Sequence, residues 1–147
     1  MWFARVTVAA IIEQNGKFLL VEEMIKGQKM LNQPAGHLED NETLIAAVIR
    51  ETHEETAYHF NPSALTGIYQ WQHPTTKNTY LRFAFTGEVI DQDKNQALDE
   101  GIVAAVWMSP EQIMAEKQRH RSPQLEICIK DYMADQRFPL SLVTKVY

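Results

Sequence analysis

The most constraining feature of this sequence is a helical segment that carries carboxylates on its apolar side. Residues 42–56 contain good helix formers and neither Gly nor Pro. At about 100° per residue, Glu51 and Glu55 lie within about 20° of Leu44, on the stripe that Leu44 and Val48 begin. An amphipathic helix normally keeps this stripe apolar, so the two carboxylates indicate a functional site.

The local charge allows two interpretations of this segment. Like charges three or four residues apart repel, and Glu near a helix C-terminus opposes the helix dipole. The segment is therefore either a solvated acidic face or one side of a cation site, and carboxylate oxygens are the ligands that Mg²⁺ and Mn²⁺ prefer. Its surroundings account for the whole net charge of −5, because Arg50 is the only base among six acids: Glu39, Asp40, Glu42, Glu51, Glu54 and Glu55. We expect a bound divalent cation.

The rest of the composition narrows the class of protein. The remaining 13 acids and 13 bases balance, so we expect no nucleic-acid partner. A chain of 147 residues with 45% apolar residues predicts one domain, residues 1–147, that needs no metal or disulfide to fold. Cys128, the only cysteine, excludes an internal disulfide and is typical of a reducing compartment, for which we expect the cytoplasm. The apolar residues 6–12 are too few to span a membrane.

Hydrophobic patterning predicts a mixed α and β fold. Residues 5–12 and 17–23 read as a hairpin joined through Asn15-Gly16, and further strands are expected at residues 65–73, 79–90 and 102–108. Residues 31–36 read as a turn-like passage, after which Asn41 is the expected N-cap of the acidic helix. Ser109-Pro110 and Ser122-Pro123 each predict a helix start, the second helix reaching about Asp135.

The acidic helix belongs to a longer pattern with fixed spacing. Gly36 is followed after five residues by Glu42 and after seven more by Arg50-Glu51-Thr52-His53-Glu54-Glu55-Thr56-Ala57-Tyr58. This arrangement resembles the signature of the Nudix hydrolase family. Thr52 stands where that signature has an apolar residue and Ala57 where it has Gly, which disfavours a left-handed exit from the helix. Residues 21–23, 32–39, 121–123 and 132–140 also resemble a bacterial phosphatase branch of the family.

The resemblance implies a fold, an activity and a cofactor. The fold is the Nudix α/β/α sandwich, of α/β (α+β) class, with a mixed β-sheet, the Nudix helix and two C-terminal helices. The implied activity is hydrolysis of a nucleoside diphosphate linked to another group. The phosphatase branch implies release of orthophosphate from nucleoside tri- and diphosphates and from hydroxymethylpyrimidine diphosphate. The cofactor is Mg²⁺, for which Mn²⁺ can substitute, and a monomer or homodimer is expected to take a small nucleotide or diphosphate.

Roles at the site are implied residue by residue. The metal ligands are Glu51, Glu54 and Glu55 together with the backbone carbonyl of Ala35, and the loop acid Glu100 is expected as a further ligand. The general base is either Glu51 or a loop carboxylate, and both remain open. Glu100 is the first loop candidate and Asp99 the second, each with a solvated loop acid as the alternative. Arg50 is expected to orient the catalytic carboxylates Glu51 and Glu54, and Gly36 and Glu42 complete the motif.

Substrate recognition is predicted less sharply. Aromatic faces beside a guanidinium suit a flat base and a phosphate, and such residues occur on segments that border the motif: Gln33, Tyr69, Trp71, Tyr80 and Arg82. The alternative is that the strand aromatics belong to the core. Arg121, with Arg119 and His120, forms a basic triplet that either holds a terminal phosphate or is a solvated turn. His37 and His53 are expected to be polar surface or loop residues rather than metal ligands.

Three other functions compete with this phosphatase. An ADP-ribose or dinucleotide pyrophosphatase would release AMP instead of orthophosphate. A nucleotide-sensing Nudix module would bind its ligand without turnover, although such a module has no need of three mutually repelling carboxylates. A purely structural acidic helix would gain no stability from divalent cations.

Overall fold

The computed structural model describes residues 1–146, in which five strands precede the first α-helix, three strands follow it, and two further α-helices come after the last strand. The strands are β1 (Arg5–Ile11), β2 (Glu13–Gln14), β3 (Lys17–Ile25), β4 (Gln28–Asn32), β5 (Ala35–His37), β6 (Tyr58–Gln72), β7 (Thr79–Gln92) and β8 (Ile102–Met108). The helices are α1 (Leu44–Thr56), α2 (Pro110–Ala115) and α3 (Gln124–Met133), with 3-10 turns at Lys117–Arg119 and Leu140–Leu142. None of the helices within residues 1–146 has the length and apolarity needed to cross a bilayer.

The strands form two sheets. The first has the order β5-β1-β7-β6, in which β1 and β7 run parallel while the other neighbours run antiparallel. The second sheet contains β2, β3 and β4 in that order, and β8 also pairs with β3. A mixed sheet of this kind has its helices on the faces, which agrees with the predicted class.

The core lies on both sides of β1. Val8, Ala10 and Ile12 pack with Ala47 and Val48 of α1 in one cluster. Ile11, the neighbour of Ala10 and Ile12, belongs to a second cluster with Ile113 of α2 and with Leu125, Cys128 and Ile129 of α3. Since successive side chains of a strand point to opposite faces, the continuous apolar run of β1 fills both clusters at once. The sheets are thereby held between α1 and the two C-terminal helices, as the Nudix resemblance predicted.

The expected N-terminal hairpin is wrong in its pairing. Asn15-Gly16 does form a left-handed turn, with φ of 54° and 77°, but it joins only the two residues of β2 to β3. β1 pairs instead with β5 and β7, because its residues are apolar on both faces and require a central position in a sheet. The predicted passage at residues 31–36 is likewise shortened to Gln33-Pro34, between β4 and β5.

Two helix starts also differ from prediction. Thr43, and not Asn41, caps α1, because its side chain accepts a hydrogen bond from Ala46 N at 3.0 Å. Asn41 has a φ of 59° and lies outside the helix. At α3, Pro123 occupies the cap position and Ser122 accepts from Gln124 N at 3.2 Å. The capping box predicted at Ser109 is confirmed, since Ser109 and Gln112 bond each other's backbone.

The end of α1 is the third difference. Ala57 adopts the left-handed conformation, with φ 63° and ψ 4°, and its N–H donates to His53 O at 2.8 Å. The substitution of Ala for Gly was expected to disfavour this exit, which costs an alanine about 1–2 kcal/mol. The next strand, β6, begins immediately at Tyr58, so the short connection to the sheet imposes the turn.

Candidate active site

Arg50 forms hydrogen bonds with three acidic residues of the motif. Its guanidinium donates Nε to Glu42 Oε2 at 2.7 Å and Nη2 to Glu42 Oε1 at 3.0 Å, a bidentate pair. Its Nη1 donates to Glu51 Oε1 at 2.8 Å and to Glu54 Oε2 at 3.2 Å. The hydrogen bonds from Arg50 hold the pKa of the Glu42 carboxyl below its usual value. This geometry agrees with the predicted orienting role of Arg50.

Glu55 faces Ala35, the first residue of β5. Ala35 N donates to Glu55 Oε1 at 3.0 Å, and Glu55 is buried, with 8% of its surface exposed. The backbone bonds Ala10 N to Pro34 O and Leu38 N to Val6 O set the alternation of the β1–β5 pair. By that alternation Ala35 directs both its N–H and its C=O away from β1. The Ala35 carbonyl therefore points to the same side as Glu55, which is the direction required of a metal ligand.

The electrostatics of this face favour a cation. The pKa of Glu55 is raised to about 8, chiefly by burial; the nearby charges of Glu23, Glu51 and Asp99 contribute to the rise, and the hydrogen bond from Ala35 opposes it. Burial also raises the pKa of Glu51, while Arg50 opposes the shift and Glu54 and Asp99 add to it. Anionic charge on these carboxylates is thus costly in the protein alone, and a divalent cation would offset that cost.

The ligand cluster takes its loop acid from Asp99. The carboxylates of Glu51, Glu54 and Asp99 each offer an oxygen within 4.8 Å of the others. Asp99 N also donates to Glu54 O at 3.0 Å, which fixes the loop against α1. Glu100, the first choice from the sequence, is exposed and belongs to no such group in the described part of the chain, so Asp99 replaces it as the loop candidate.

Gly36 is required by the position of Glu51. A Cβ at Gly36 would lie 2.0 Å from Glu51 Cδ and 2.3 Å from both carboxylate oxygens. Gly36 does not have a left-handed φ, so its role is to leave space for the carboxylate and not to permit an unusual backbone. The first residue of the motif therefore determines where Glu51 lies.

A cavity of about 640 Å³ opens beside this face. Glu51, Glu55, Ala35 and Gly36 line it on one side, and the predicted substrate residues Trp71, Tyr80, Arg82 and Arg121 also line it. Trp71 and Tyr80 are stacked on neighbouring strands, with ring centroids 5.8 Å apart and an interplanar angle of 27°. The structure thus brings most of the predicted metal and substrate residues to one cavity.

Arg82 is a buried cation paired only with neutral groups. Its side chain is 4% exposed and donates to Gln33 Oε1 at 2.8 Å and to Asn32 Oδ1 at 3.2 Å. Within residues 1–146, no carboxylate lies within ion-pair distance of Arg82, and its buried Nε has no hydrogen-bond partner. Gln33, predicted to contact substrate, is 1% exposed and instead links Arg82 to Leu125 O. Gln33 is therefore a support for Arg82.

Two further expectations require correction. Tyr69 donates to Asp131 of α3 at 2.9 Å and packs against the second core cluster, so the core interpretation applies to it. The basic triplet is divided, because Arg119 pairs with Glu22 and His120 bonds Ile113 O. Of its three members, only Arg121 lines the cavity, where it pairs with Glu23 at 2.9 Å.

Glu23 and Asn32 are residues of the cavity that were not predicted from the sequence. Glu23 lies on β3 and Asn32 at the end of β4, and both line the cavity. The signal was available in the hairpin at Lys26-Gly27, whose left-handed turn pairs Glu23 with Met30 and Val21 with Asn32. That pairing brings β3 and β4 together beside Arg82.

A family model and several known proteins are similar to this chain. A family model described as the NUDIX domain matches residues 2–127. Phosphatase NudJ of Escherichia coli K12 is 40% identical over 143 residues, which cover 97% of this chain and 92% of that protein. A solved NUDIX hydrolase from Nitrosomonas europaea is 48% identical, has a TM-score of 0.96, and covers 98% of each chain.

A more distant structure shares the fold alone. The NUDIX domain of Shewanella oneidensis NrtR, solved as a complex with ADP-ribose, is 15% identical to this chain at a TM-score of 0.74. The alignment covers 92% of this chain and 90% of that one.

Proposed function

The chain belongs to the NUDIX family and is a hydrolase of phosphoanhydride substrates, and we propose that it releases orthophosphate from nucleoside tri- and diphosphates or related small diphosphates. Hydroxymethylpyrimidine diphosphate is one such compound. The proposal includes Mg²⁺ as the cofactor, with Mn²⁺ able to substitute. The similarity to phosphatase NudJ supports orthophosphate as the product.

The observation that carries the proposal is the carboxylate group beside the cavity. The oxygens of Glu51, Glu54 and Asp99 lie within 4.8 Å of one another, and Arg50 holds two of these three side chains. Glu55 and the Ala35 carbonyl face the same region. A divalent ion bound here would neutralise phosphate charge and orient water, which is the chemistry that an inert phosphoanhydride requires.

The chain's own groups then handle the proton. Hydrolysis forms a bond between the water oxygen and phosphorus, breaks the bridging P–O bond, and transfers a water proton to a carboxylate. Glu51 and Asp99 are the two candidates for that base. Removing a general base typically costs about 10²–10⁴-fold in rate. We expect Glu51→Gln or Asp99→Asn to remove the acidic limb of the pH profile, and the variant that does so identifies the base.

The far side of the cavity supports an anionic substrate with a flat ring. Trp71 and Tyr80 present stacked aromatic surface, which suits a base or pyrimidine ring. Arg82 has a buried charge whose contacts are the neutral amides of Gln33 and Asn32 and the thiol of Cys128, and a substrate anion would supply its missing counterion. Arg121, the more exposed cation, is held at the rim by Glu23.

The test is product analysis with a substrate panel. Protein is incubated with ATP, ADP and hydroxymethylpyrimidine diphosphate in the presence of Mg²⁺, and orthophosphate is measured. We expect release from at least one compound, loss with EDTA, and a large decrease in Glu54→Gln. Glu88→Gln, a change on β7 outside the cavity, is the control and should behave as the parent. Absence of orthophosphate from every compound would contradict the proposal.

ADP-ribose hydrolysis is the second candidate. It is favoured by the fold likeness to the NrtR domain, which was solved with ADP-ribose bound. The two reactions differ in product, because cleavage of ADP-ribose yields AMP and ribose phosphate. Detecting AMP from ADP-ribose, with no orthophosphate from the nucleotides, would select this alternative.

A further inference from the structure

A second group of metal-binding side chains lies at the C-terminal end of α1. Asp93 Oδ2 accepts a hydrogen bond from His53 Nε2 at 2.8 Å and from His59 Nε2 at 2.9 Å. The two imidazoles stack with centroids 4.5 Å apart and an interplanar angle of 28°. All three ligand atoms lie within 4.8 Å of one another, and none of these residues lines the cavity.

Hydrogen bonds to backbone groups join the segments that supply this group, and His59 of β6 is paired with Asp91 of β7. Asp93 N donates to Ala57 O at 2.9 Å, which ties the end of β7 to the residue that terminates α1. Gln96 Nε2 donates to His53 O at 2.9 Å, and Gln92 Nε2 donates to Thr56 O at 3.2 Å. The side chains of His53, His59 and Asp93 therefore converge from α1, β6 and the β7 exit without depending on one mobile loop. Preorganisation of this kind lowers the cost of binding an ion.

The exposure of the group distinguishes it from a buried structural contact. The side chains of His53, His59 and Asp93 remain 29%, 47% and 48% accessible. An ion and its water ligand can therefore reach the ring nitrogens from solvent. Two imidazoles and one carboxylate also leave an open coordination position, as in sites that keep a bound water.

We propose that His53, His59 and Asp93 form a second metal site, selective for late first-row divalent cations and represented by Zn²⁺. Imidazole nitrogen binds Zn²⁺ well, whereas Mg²⁺ prefers the oxygen ligands of the Glu51 cluster. Both rings donate from Nε2 to one carboxylate oxygen in the metal-free protein. A metal bond at Nε2 would require each ring to carry that proton on Nδ1 instead, a change of tautomer that releases no proton.

The test is zinc binding by the untagged protein in saturating Mg²⁺, which occupies the Glu51 cluster. Calorimetric titration with ZnCl₂ should give one equivalent per chain. Zinc at about one hundred times its Kd should raise the unfolding midpoint by about 5–10 °C. Imidazole nitrogen NMR should report zinc at the Nε2 atoms of His53 and His59.

Matched variants separate this site from its alternatives. His59→Gln keeps an amide donor for Asp93, and His59→Gln and Asp93→Asn should each weaken zinc binding at least about tenfold. His73→Asn is the control, because it keeps an acceptor for the Thr75 and Thr76 N–H groups and should bind zinc as the parent does.

Glu54→Gln distinguishes failure of this site from failure of the proposed function. It should lose hydrolysis and retain the zinc equivalent. The inference is overturned if Mg²⁺-saturated protein takes no zinc, or if His59→Gln and Asp93→Asn bind it as tightly as the parent. The cluster would then be only a hydrogen-bonded link between α1 and the sheet.

Discussion

Gly36→Ala should lower the catalytic rate without lowering the stability of the fold. The new Cβ would lie 2.0 Å from Glu51 Cδ, where ordinary contact begins near 3.4 Å, so the carboxylate must move by about 1.4 Å. That movement breaks the 2.8 Å bond from Arg50 and takes Glu51 out of the ligand cluster. A displacement of about 1 Å costs about 10²-fold, or about 2.7 kcal/mol of transition-state stabilisation.

The fold should tolerate the same change. The backbone of Gly36 has no left-handed φ, and alanine at such a position stabilises by about 0.4–1 kcal/mol through the unfolded state. We therefore expect kcat/KM for orthophosphate release to fall about 100-fold or more, while the midpoint of thermal unfolding without divalent cation stays near that of the parent.

Gly16→Ala is the opposite control. Gly16 has a φ of 77° and no atom within 4 Å of its ideal Cβ, so the cost is backbone strain of about 1–2 kcal/mol. Its unfolding midpoint should fall by about 2–8 °C with kcat/KM unchanged. Parental kcat/KM in Gly36→Ala would refute the reasoning that Gly36 determines the position of Glu51.

Three further predictions concern other parts of the chain. Arg50→Lys removes the bidentate pair with Glu42, so steady-state kinetics should give at least about a tenfold lower kcat/KM, and a parental value would contradict the orienting role. Burial raises the pKa of the Cys128 thiol, so a thiol reagent at pH 8 should leave the folded protein unmodified and label one equivalent in urea; rapid labelling of folded protein would contradict this. Ser109→Ala removes the cap bond to Gln112 N and should cost about 1 kcal/mol, or about 2–4 °C in the unfolding midpoint, with unchanged kinetics as its control.

The sequence predicted best where one local rule acted alone. The bounds of β8 and the capping box at Ser109 followed from strand composition and from the Ser-Pro-Glu-Gln start, and both are confirmed. The Nudix fold was implied by a family resemblance, which rested on the spacing of Gly36, Glu42 and the Arg50–Glu55 charges. These features depend on neighbours in sequence, which are visible without a structure.

The errors arose where tertiary contacts prevailed over local preference. β1 does not form the expected hairpin because both of its faces are apolar. One face packs against α1 and the other against α2 and α3, and this second helical layer is not visible in the local sequence. Ala57 adopts a conformation that alanine disfavours, because β6 begins at the following residue. Thr52, the other departure from the motif, is fully buried and donates its hydroxyl to Val48 O at 2.7 Å, as its position beside the apolar stripe allowed.

The positions of the site residues were predicted better where they are neighbours on one helix and less well where they depend on tertiary contacts. Residues on α1 keep fixed spacing, so Glu51 and Glu55 could be assigned to one face from the sequence, whereas Glu54 was added to them through the Nudix resemblance. The choice between Asp99 and Glu100 depends on how a loop closes on α1, through the bond from Asp99 N to Glu54 O. Gln33 was predicted to contact the substrate, but its buried side chain donates a hydrogen bond to Leu125 O, 92 positions away in the sequence. Sequence spacing carries no information about contacts of that range.

The central claim is that the carboxylate face of α1 is occupied by a divalent cation. Crystals soaked in MnCl₂ and measured at the manganese absorption edge test it directly. We expect an anomalous peak coordinated by Glu51 and Glu54, and its loss in Glu54→Gln crystals soaked in the same way. Well-ordered carboxylates directed to bulk solvent, with no anomalous peak between them, would contradict it.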